Sequence, residues 1–228
     1  MRQLLGLLLV CCAAACAPAP LEVRPVSTTV PGFPGPAVPP LSDAARAVGF
    51  IDVRSIVPDA VVDLRYATAD NFVGEPLYPA GARCLVHESL ADGLATAAAR
   101  LRADGLVLVF WDCYRPHDVQ VRMFDVVSNP AWVAKPGPYS KSHESGRSVD
   151  VTTASSTGLT DMGTGFDDFT PVANAYATDG VSAVAQRNRS VLRAAMTAGG
   201  FAPYAGEWWH FDGPGAGERR PIINVPVT

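Results

Sequence analysis

Apolar positions recur every three or four residues across 88–103, which is the spacing of one face of a helix. Asp104 and Gly105 interrupt this pattern, and a continuous apolar run over 106–110 follows. The pattern therefore predicts a helix followed by a buried strand. The apolar positions on the predicted helix face are Leu90, Leu94, Ala97, Ala98 and Leu101.

The second half of the chain alternates between the same two kinds of pattern. A helix is predicted over 116–127 and another over 184–198, and shorter apolar runs predict strands over 149–153, 201–204 and 208–211. The segment 154–178, rich in Gly, Thr and Asp, is predicted to be a loop, and a loop this long is uncommon unless it has a function. The predicted fold class is α+β, a small antiparallel sheet with helices packed on it.

Composition fits one domain of ordinary size. The chain has 228 residues, 48% of them apolar, and a formal charge of −4. No run of basic residues interleaves with aromatic ones, so nothing in the sequence indicates nucleic-acid binding. No segment indicates a protein partner either.

The N-terminus has the layout of a secretory signal. Positive Arg2 precedes an apolar run over 4–10, and small residues then lead to Cys16. That apolar run is too short to span a bilayer. We expect residues 1–16 to be a signal peptide and the protein to be exported to the periplasm or cell envelope. Small residues directly before Cys16 are also typical of a bacterial lipoprotein signal. Two outcomes are therefore open: lipidation of Cys16, which would anchor the protein to a membrane, and simple cleavage of the signal.

Residues 17–42 are rich in proline and small residues, a composition that predicts an extended, semi-rigid tether. We therefore divide the chain into a signal at 1–16, a tether at 17–42 and a catalytic domain at 43–228.

Two cysteines lie outside the signal and the tether, Cys84 and Cys113. In an oxidising compartment they can form one disulfide, and this is the pairing we expect. Two buried free thiols are the alternative, and a role as metal ligands is less favoured because other residues fill that need.

Two short segments gather most of the chemistry. His143 and Asp150 lie seven residues apart, and Glu207 and His210 lie three apart further along. A catalytic zinc takes three nitrogen or oxygen ligands and leaves one position for water, and hydrolysis also needs a carboxylate outside the ligand set. Two His, one Asp and one Glu meet that requirement. Taken singly, however, each His is more often a satisfied polar residue, and Asp150 reads as a polar break in a strand.

The stretch from Val48 to His210 resembles the D-alanyl-D-alanine dipeptidases of the VanX type, a family of zinc D,D-peptidases. Five motifs in the same order carry the resemblance, and they cover most of the mature chain. The motifs are Leu64-Arg65-Tyr66-Ala67-Thr68 with Asp70-Asn71-Phe72, Trp111-Asp112-Cys113-Tyr114-Arg115-Pro116, the segment from His143 to Asp150, Met162-Gly163-Thr164-Gly165-Phe166-Asp167, and Glu207-Trp208-Trp209-His210.

The resemblance implies a single-zinc fold of the D-Ala-D-Ala peptidase and hedgehog-like kind, with one Zn²⁺ per chain. It implies that the zinc ligands are His143, Asp150 and His210. Glu207 would be the general base and acid, and Arg115 would stabilise the oxyanion.

The resemblance also implies that Asp167 binds the ammonium of a small D,D-dipeptide substrate. Without the resemblance, Asp167 reads as a solvated loop acid beside Asp168.

Two positions depart from the family pattern. Lys141 stands where Ser is common, and Glu144 follows the first His. A further expectation concerns Glu207 and His210, which can face one site only if Glu207 lies at a bend, since residues three apart in a strand point to opposite faces.

Two other functions remain open on the sequence. A zinc D,D-carboxypeptidase acting on peptidoglycan stem peptides would use the same ligands but should not need Asp167. A non-catalytic zinc-stabilised wall-binding module would leave Glu207 and Arg115 without a role.

Overall fold

A computed structural model describes residues 38–228. The predicted signal at 1–16, with Cys16, and the predicted tether as far as residue 37 lie outside the described residues. Pro39 and Pro40, at the end of the predicted tether, accept hydrogen bonds from the Arg83 guanidinium. Within 38–228, the helices are too short or too polar to cross a membrane.

The described part of the chain mixes short helices with short strands. The α-helices are α1 (Asp43–Ala47), α2 (Ala91–Ala103), α3 (His117–Val126) and α4 (Ala183–Ala198). The strands are β1 (Phe50–Asp52), β2 (Val61–Val62), β3 (Leu85–His87), β4 (Val107–Asp112), β5 (Ser148–Ser155), β6 (Gly158–Leu159), β7 (Ala202–Pro203) and β8 (His210–Asp212). Short 3-10 helices cover Val53–Ser55, Arg65–Ala67, Glu88–Leu90, Ser142–Ser145 and Pro171–Ala173.

The main sheet has the strand order β2-β4-β5-β8-β7, with β6 paired to the end of β5. Its strand pairs are antiparallel except β2–β4, which is parallel. A separate antiparallel pair joins β1 to β3. The prediction of an α+β fold is confirmed, and the sheet is antiparallel as predicted except at the β2–β4 pair. Strand β2 has only two residues, so the sequence does not reveal its partner.

Helices α2 and α4 pack against each other through glycine. A methyl group at Gly93 would come within 2.3 Å of the Gly199 carbonyl oxygen, so this approach excludes any side chain. The side chain of Ser182 caps α4 by accepting a hydrogen bond from Ala185 N–H, which satisfies an otherwise unpaired donor of the first turn. The apolar face predicted for α2 is buried at Leu94, Ala97, Ala98 and Leu101.

Two predicted segments differ from the structure. The strand predicted over 208–211 begins only at His210, because Trp208 and Trp209 bend into the core, where both are buried. The segment predicted as a loop over 154–178 contains the end of β5, the strand β6 and a 3-10 helix. In both places tertiary packing overrides the local pattern.

Cys84 and Cys113 form a disulfide, as the sequence predicts. It connects the segment before β3 to the residue directly after β4, and both cysteines are buried. The bond therefore ties β3 to the segment that carries Arg115.

Candidate active site

Three neighbouring strands bring acidic and histidine side chains into one row. Asp112 at the end of β4 pairs in register with Asp150 of β5, and Asp150 pairs with His210 of β8. The register of β4 shifts between Phe110 and Asp112, which is an irregularity of the β-bulge kind. Such bulges re-aim side chains near functional sites. The sheet thus places two of the predicted metal ligands directly opposite each other.

The third predicted ligand, His143, arrives from a different element. It lies in the 3-10 helix Ser142–Ser145, which ends at Gly146 in the left-handed conformation. A Cβ on Gly146 would come within 2.6 Å of the Phe50 ring, so glycine is required there by both conformation and space. Ser142, which precedes His143, also has a positive φ of 50°. Strained backbone of this kind persists where the surroundings enforce it, often at functional sites.

The three predicted ligands converge on a single point. His143 Nε2 lies 3.2 Å and His210 Nδ1 lies 3.0 Å from Asp150 Oδ1, and the two ring nitrogens are 3.0 Å apart. His143 and Asp150 are buried, and the side chain of His210 is 12% exposed. Among the described residues, these three form the group of His, Cys, Asp and Glu that could hold a metal ion.

The outward ring nitrogens of both histidines are hydrogen-bonded inside the protein. His143 Nδ1–H donates to the Cys113 carbonyl at 2.8 Å, and His210 Nε2–H donates to Asp212 Oδ1 at 3.1 Å. Such bonds fix the tautomer and leave the opposite nitrogen as a lone-pair donor. A two-His, one-carboxylate set held in this way fits zinc.

A chain of hydroxyl groups supports His210 from behind. Asp212 also accepts a hydrogen bond from Ser148 Oγ, which in turn accepts one from Ser142 Oγ at 2.9 Å. Burial raises the pKa of Asp212, but the hydrogen bond and charge of His210, together with the hydrogen bond from Ser148, outweigh this effect and hold the pKa at about 2. Asp212 is therefore ionised at neutral pH and can orient the imidazole.

Arg115 is fixed beside the row by two acceptors. Its Nε and Nη2 donate to Asp112 Oδ2 at 3.0 and 2.6 Å, and its Nη1 donates to Gln120 Oε1 at 2.7 Å. Nη2 lies 4.0 Å from Asp150 Oδ2. Asp112 is itself held by the hydroxyl of Tyr78 at 2.7 Å. The guanidinium consequently has a defined position at the wall of the site.

Asp167 lies in the same cavity without a cationic partner. Its carboxylate accepts hydrogen bonds from the Tyr66 hydroxyl, at 3.0 and 3.1 Å, and among residues 38–228 it makes no ion pair. Burial and the nearby charge of Asp150 raise the pKa of Asp167 well above its ordinary value. Its φ of 56° is also strained. A partly buried carboxylate without a counter-ion is a site that a cation can stabilise.

Glu207 follows the turn after Tyr204 and precedes β8, so it lies at the bend that the sequence argument requires. Gly206 makes this turn possible because a Cβ there would come within 2.7 Å of the Tyr204 ring. Burial, reinforced by repulsion from Asp150, raises the pKa of Glu207 to about 7, although His210, His143 and Arg115 act in the opposite direction. A carboxylate with such a pKa can take up and release a proton near neutrality.

A cavity of about 300 Å³ connects these groups. The six residues that the sequence singles out as catalytic, metal-binding or substrate-binding all line it: Arg115, His143, Asp150, Asp167, Glu207 and His210. Trp209 also lines this cavity, whereas Trp208 packs behind it and donates from its indole nitrogen to Thr164. The departure at Glu144 is accommodated by a hydrogen bond from His117.

Four side chains that the structure hydrogen-bonds directly to Asp167, Arg115 or His210 were not identified from the sequence as part of the site. These are Tyr66, Asp112, Gln120 and Asp212. Three of them lie in or next to motifs quoted above, and that proximity was the available signal. Gln120 had no signal beyond its place in the predicted helix, because its contact with Arg115 depends on how α3 packs.

Comparison with known proteins identifies a family that the sequence matches. The sequence pattern of Peptidase_M15, described as D-ala-D-ala dipeptidase, matches residues 46–228. A D-alanyl-D-alanine dipeptidase of Escherichia coli (strain K12) is 38% identical over 167 residues, which are 73% of this chain and 85% of that protein. The enzyme of the same name from Enterococcus faecium is 31% identical over 72% of this chain and 91% of that protein.

One solved structure is a more distant match. An LD-carboxypeptidase, LdcB, whose structure is described as revealing the molecular basis of peptidoglycan recognition, aligns with a TM-score of 0.40. Its sequence is 18% identical, and the alignment covers 58% of this chain and 61% of that one.

Proposed function

The chain belongs to the D-Ala-D-Ala dipeptidase family of peptidases, and from this premise we propose that it hydrolyses free D-alanyl-D-alanine to two D-alanines with the help of one zinc ion. The observation that carries the proposal is the single cavity. In it, the convergent nitrogen and oxygen atoms of His143, Asp150 and His210 share a space with Glu207, Arg115 and Asp167.

The three convergent residues would hold the metal. Zinc in such a site lowers the pKa of water toward neutrality and polarises a carbonyl group. The protein contributes the orientation of the ligands, through the Cys113 carbonyl for His143 and through Asp212 for His210. The Asp150 carboxylate is kept ionised, since both histidines lower its pKa below the ordinary range despite its burial.

Glu207 is the proposed general base and acid. Its carboxylate takes a proton from the water that attacks the scissile carbonyl, and then gives this proton to the amine of the departing D-alanine. The raised pKa of Glu207 suits both halves of this transfer. The two proton transfers leave Glu207 in its starting state after each turnover.

Arg115 is the proposed stabiliser of the negative charge that develops on the carbonyl oxygen. A guanidinium does not lose its proton at working pH, and its position is fixed before the substrate arrives. Fixed donors of this kind need no rearrangement as the charge develops.

Asp167 is the proposed anchor for the substrate ammonium. A free dipeptide supplies the cation that the Asp167 carboxylate lacks within the described residues. A peptide extended or acylated at its N-terminus supplies no such charge and leaves the carboxylate buried and unpaired. Removing one partner of a buried ion pair costs roughly 3–5 kcal/mol, which is enough to exclude longer substrates. This argument separates a dipeptidase from a carboxypeptidase that trims stem peptides.

A direct assay tests the proposal. Release of free alanine by the zinc-loaded domain would be measured from D-Ala-D-Ala, N-acetyl-D-Ala-D-Ala and L-Ala-L-Ala, each with and without a chelator, with a detection method that counts both enantiomers. We expect chelator-sensitive cleavage of the free D,D-dipeptide alone. Efficient cleavage of the acetylated substrate would favour the carboxypeptidase, and no cleavage of any substrate by zinc-loaded protein would favour the wall-binding module.

A further inference from the structure

Three aromatic residues form one continuous wall of the cavity. Phe72 and Phe169 lie with ring centroids 5.3 Å apart, and Trp132 stacks on Phe169 at 5.4 Å with the two rings nearly parallel. All three side chains line the cavity that contains the convergent histidines. We call Phe72, Trp132 and Phe169 the aromatic wall.

The aromatic wall begins next to the proposed ammonium anchor. Phe169 follows Asp167 by two residues in the chain. The Tyr66 ring, whose hydroxyl binds the Asp167 carboxylate, contacts Phe72 edge-on with ring centroids 6.2 Å apart. The wall therefore flanks the end of the cavity where the substrate's N-terminal residue would lie.

Trp132 is an exposed aromatic residue whose backbone is fixed by hydrogen bonds. Its side chain is 48% exposed, while the next residue, Val133, is buried. The backbone N–H groups of both residues donate to the Asn129 carbonyl. The Ala134 carbonyl accepts a hydrogen bond from Gln120 Nε2, and Gln120 also holds Arg115. With its backbone fixed and its indole stacked on Phe169, Trp132 presents an apolar face to a ligand with little loss of conformational freedom.

The size of the cavity also indicates that the aromatic wall can contact a side chain larger than a methyl group. At about 300 Å³ it reaches the lower end of the range of pockets that enclose drug-sized molecules, and a dialanine is much smaller than these. Methyl side chains alone would leave part of the aromatic wall in contact with water. A larger apolar side chain would cover it and gain hydrophobic stabilisation.

We infer that the aromatic wall binds the side chain of the substrate's N-terminal residue, so that the enzyme also hydrolyses D,D-dipeptides whose first residue is bulky and apolar, such as D-Leu-D-Ala. The inference rests on the proposed dipeptidase function and specifies its substrate class. Asp167 still sets the length of the substrate, while the aromatic wall widens the choice of its first residue.

The experiment compares kcat/KM for D-Ala-D-Ala, D-Leu-D-Ala and D-Ala-D-Leu. In the zinc-loaded wild type, kcat/KM for D-Leu-D-Ala should equal or exceed that for D-Ala-D-Ala. In Trp132→Ala, the ratio of D-Leu-D-Ala to D-Ala-D-Ala should fall about tenfold, within the range that one or two methylene contacts provide. Trp132→Phe should keep most of the ratio.

Tyr176→Ala is the matched control, because Tyr176 is an exposed aromatic residue outside the cavity lining. This variant should leave all three values of kcat/KM unchanged. Circular dichroism and thermal unfolding of each variant verify that it is folded.

Several results would overturn the inference. Wild-type enzyme that cleaves D-Ala-D-Ala but cleaves D-Leu-D-Ala a hundred times less efficiently, on the scale of hydrophobic-pocket discrimination, would remove the side-chain subsite and leave the dipeptidase intact. A Trp132→Ala variant whose ratio is unchanged, or that loses only D-Ala-D-Leu, would place the N-terminal side chain elsewhere. Failure to cleave D-Ala-D-Ala would instead defeat the proposed function, and the inference with it.

Discussion

A single hydrogen bond determines which nitrogen of each proposed histidine ligand faces the metal. The Cys113 carbonyl holds His143 by Nδ1, and Asp212 holds His210 by Nε2, so the two rings use opposite nitrogens toward Asp150. The sequence predicts which histidines belong to the site, since His143 lies seven residues from Asp150 and His210 lies three residues from Glu207. The choice of nitrogen depends on tertiary contacts that no local pattern contains.

At Arg115 the proposed role depends on the shape of the side chain as well as on its charge. Arg115→Lys keeps the charge but loses the planar fork that binds Asp112 and Gln120 together. We expect kcat/KM for D-Ala-D-Ala to fall about a hundredfold, the loss typical of removing a fixed oxyanion donor, while the zinc content stays the same. Steady-state kinetics and metal analysis on the same preparation measure both quantities.

Arg122→Lys provides the control for this substitution. Arg122 is on helix α3, about half exposed, and pairs with Glu75 at the surface. Its replacement should change neither kinetics nor zinc content. Equal activity of Arg115→Lys and wild type would contradict the role of Arg115.

Asp167 offers a second test at the scale of one residue. Asp167→Asn keeps the shape and an acceptor for Tyr66 but removes the charge. We expect kcat/KM for free D-Ala-D-Ala to fall about a hundredfold or more, on the scale of a buried ion pair, and to fall much less for any residual cleavage of N-acetyl-D-Ala-D-Ala. Equal losses on the two substrates would remove the ammonium-anchor role.

At the scale of elements, the site depends on the alignment of β4, β5 and β8. Helices α2 and α4 and strands β4 and β5 were predictable within a few residues, because their apolar spacing is regular and Gly or Pro marks their ends. The parallel pairing of β2, the bend at Trp208 and the strand β6 were not predictable. Each of these depends on a partner distant in sequence, and short strands carry too few residues to specify one.

The disulfide is a covalent link between elements near the site. It closes a loop between cysteines separated by 29 positions, beside the carbonyl that orients His143. The double variant Cys84→Ala/Cys113→Ala should lose about 3–4 kcal/mol in the free energy of unfolding. Denaturant unfolding of the oxidised wild type and the double variant gives this difference.

A reduced wild-type sample is the companion measurement, since breaking the bond chemically should lower stability by a similar amount. If the double variant and the oxidised wild type unfold at the same denaturant concentration, the disulfide does not contribute as described.

At the scale of the whole molecule, Arg83 connects the N-terminal end of the described chain to a buried ion pair with Asp52. Asp52 accepts hydrogen bonds from Arg83 and Arg54, and Arg83 also binds the carbonyls of Pro39 and Pro40. The sequence assigned Pro39 and Pro40 to a tether on composition alone. Export, signal cleavage and lipidation at Cys16 stay predictions, since they concern residues before 38.

The Asp52 pair makes stability dependent on pH. Burial raises the pKa of Asp52, but the hydrogen bonds from Arg54 and Arg83 outweigh it, so the pKa lies below its ordinary value. A carboxyl whose pKa is lowered by folding stabilises the protein above its unfolded-state pKa, and this contribution is lost as the pH falls through the folded-state pKa. Asp52→Asn should therefore lower Tm at pH 7, and the difference from wild type should shrink toward pH 3.

Thermal unfolding of both proteins across this range measures the effect. Asp43→Asn serves as a control because Asp43 is highly exposed, and its Tm should follow wild type at every pH. A difference between Asp52→Asn and wild type that stays constant down to pH 3 would contradict the account of this pair.

The central claim is that this protein hydrolyses D-Ala-D-Ala with the help of zinc and that Glu207 carries the proton. The most direct measurement is the zinc content and the turnover of D-Ala-D-Ala by Glu207→Gln, determined on one sample beside the wild type. The account predicts one zinc per chain in both proteins and a turnover lowered about a thousandfold in the variant, as removal of a general base typically causes. A variant that holds zinc and keeps near-normal turnover would contradict it.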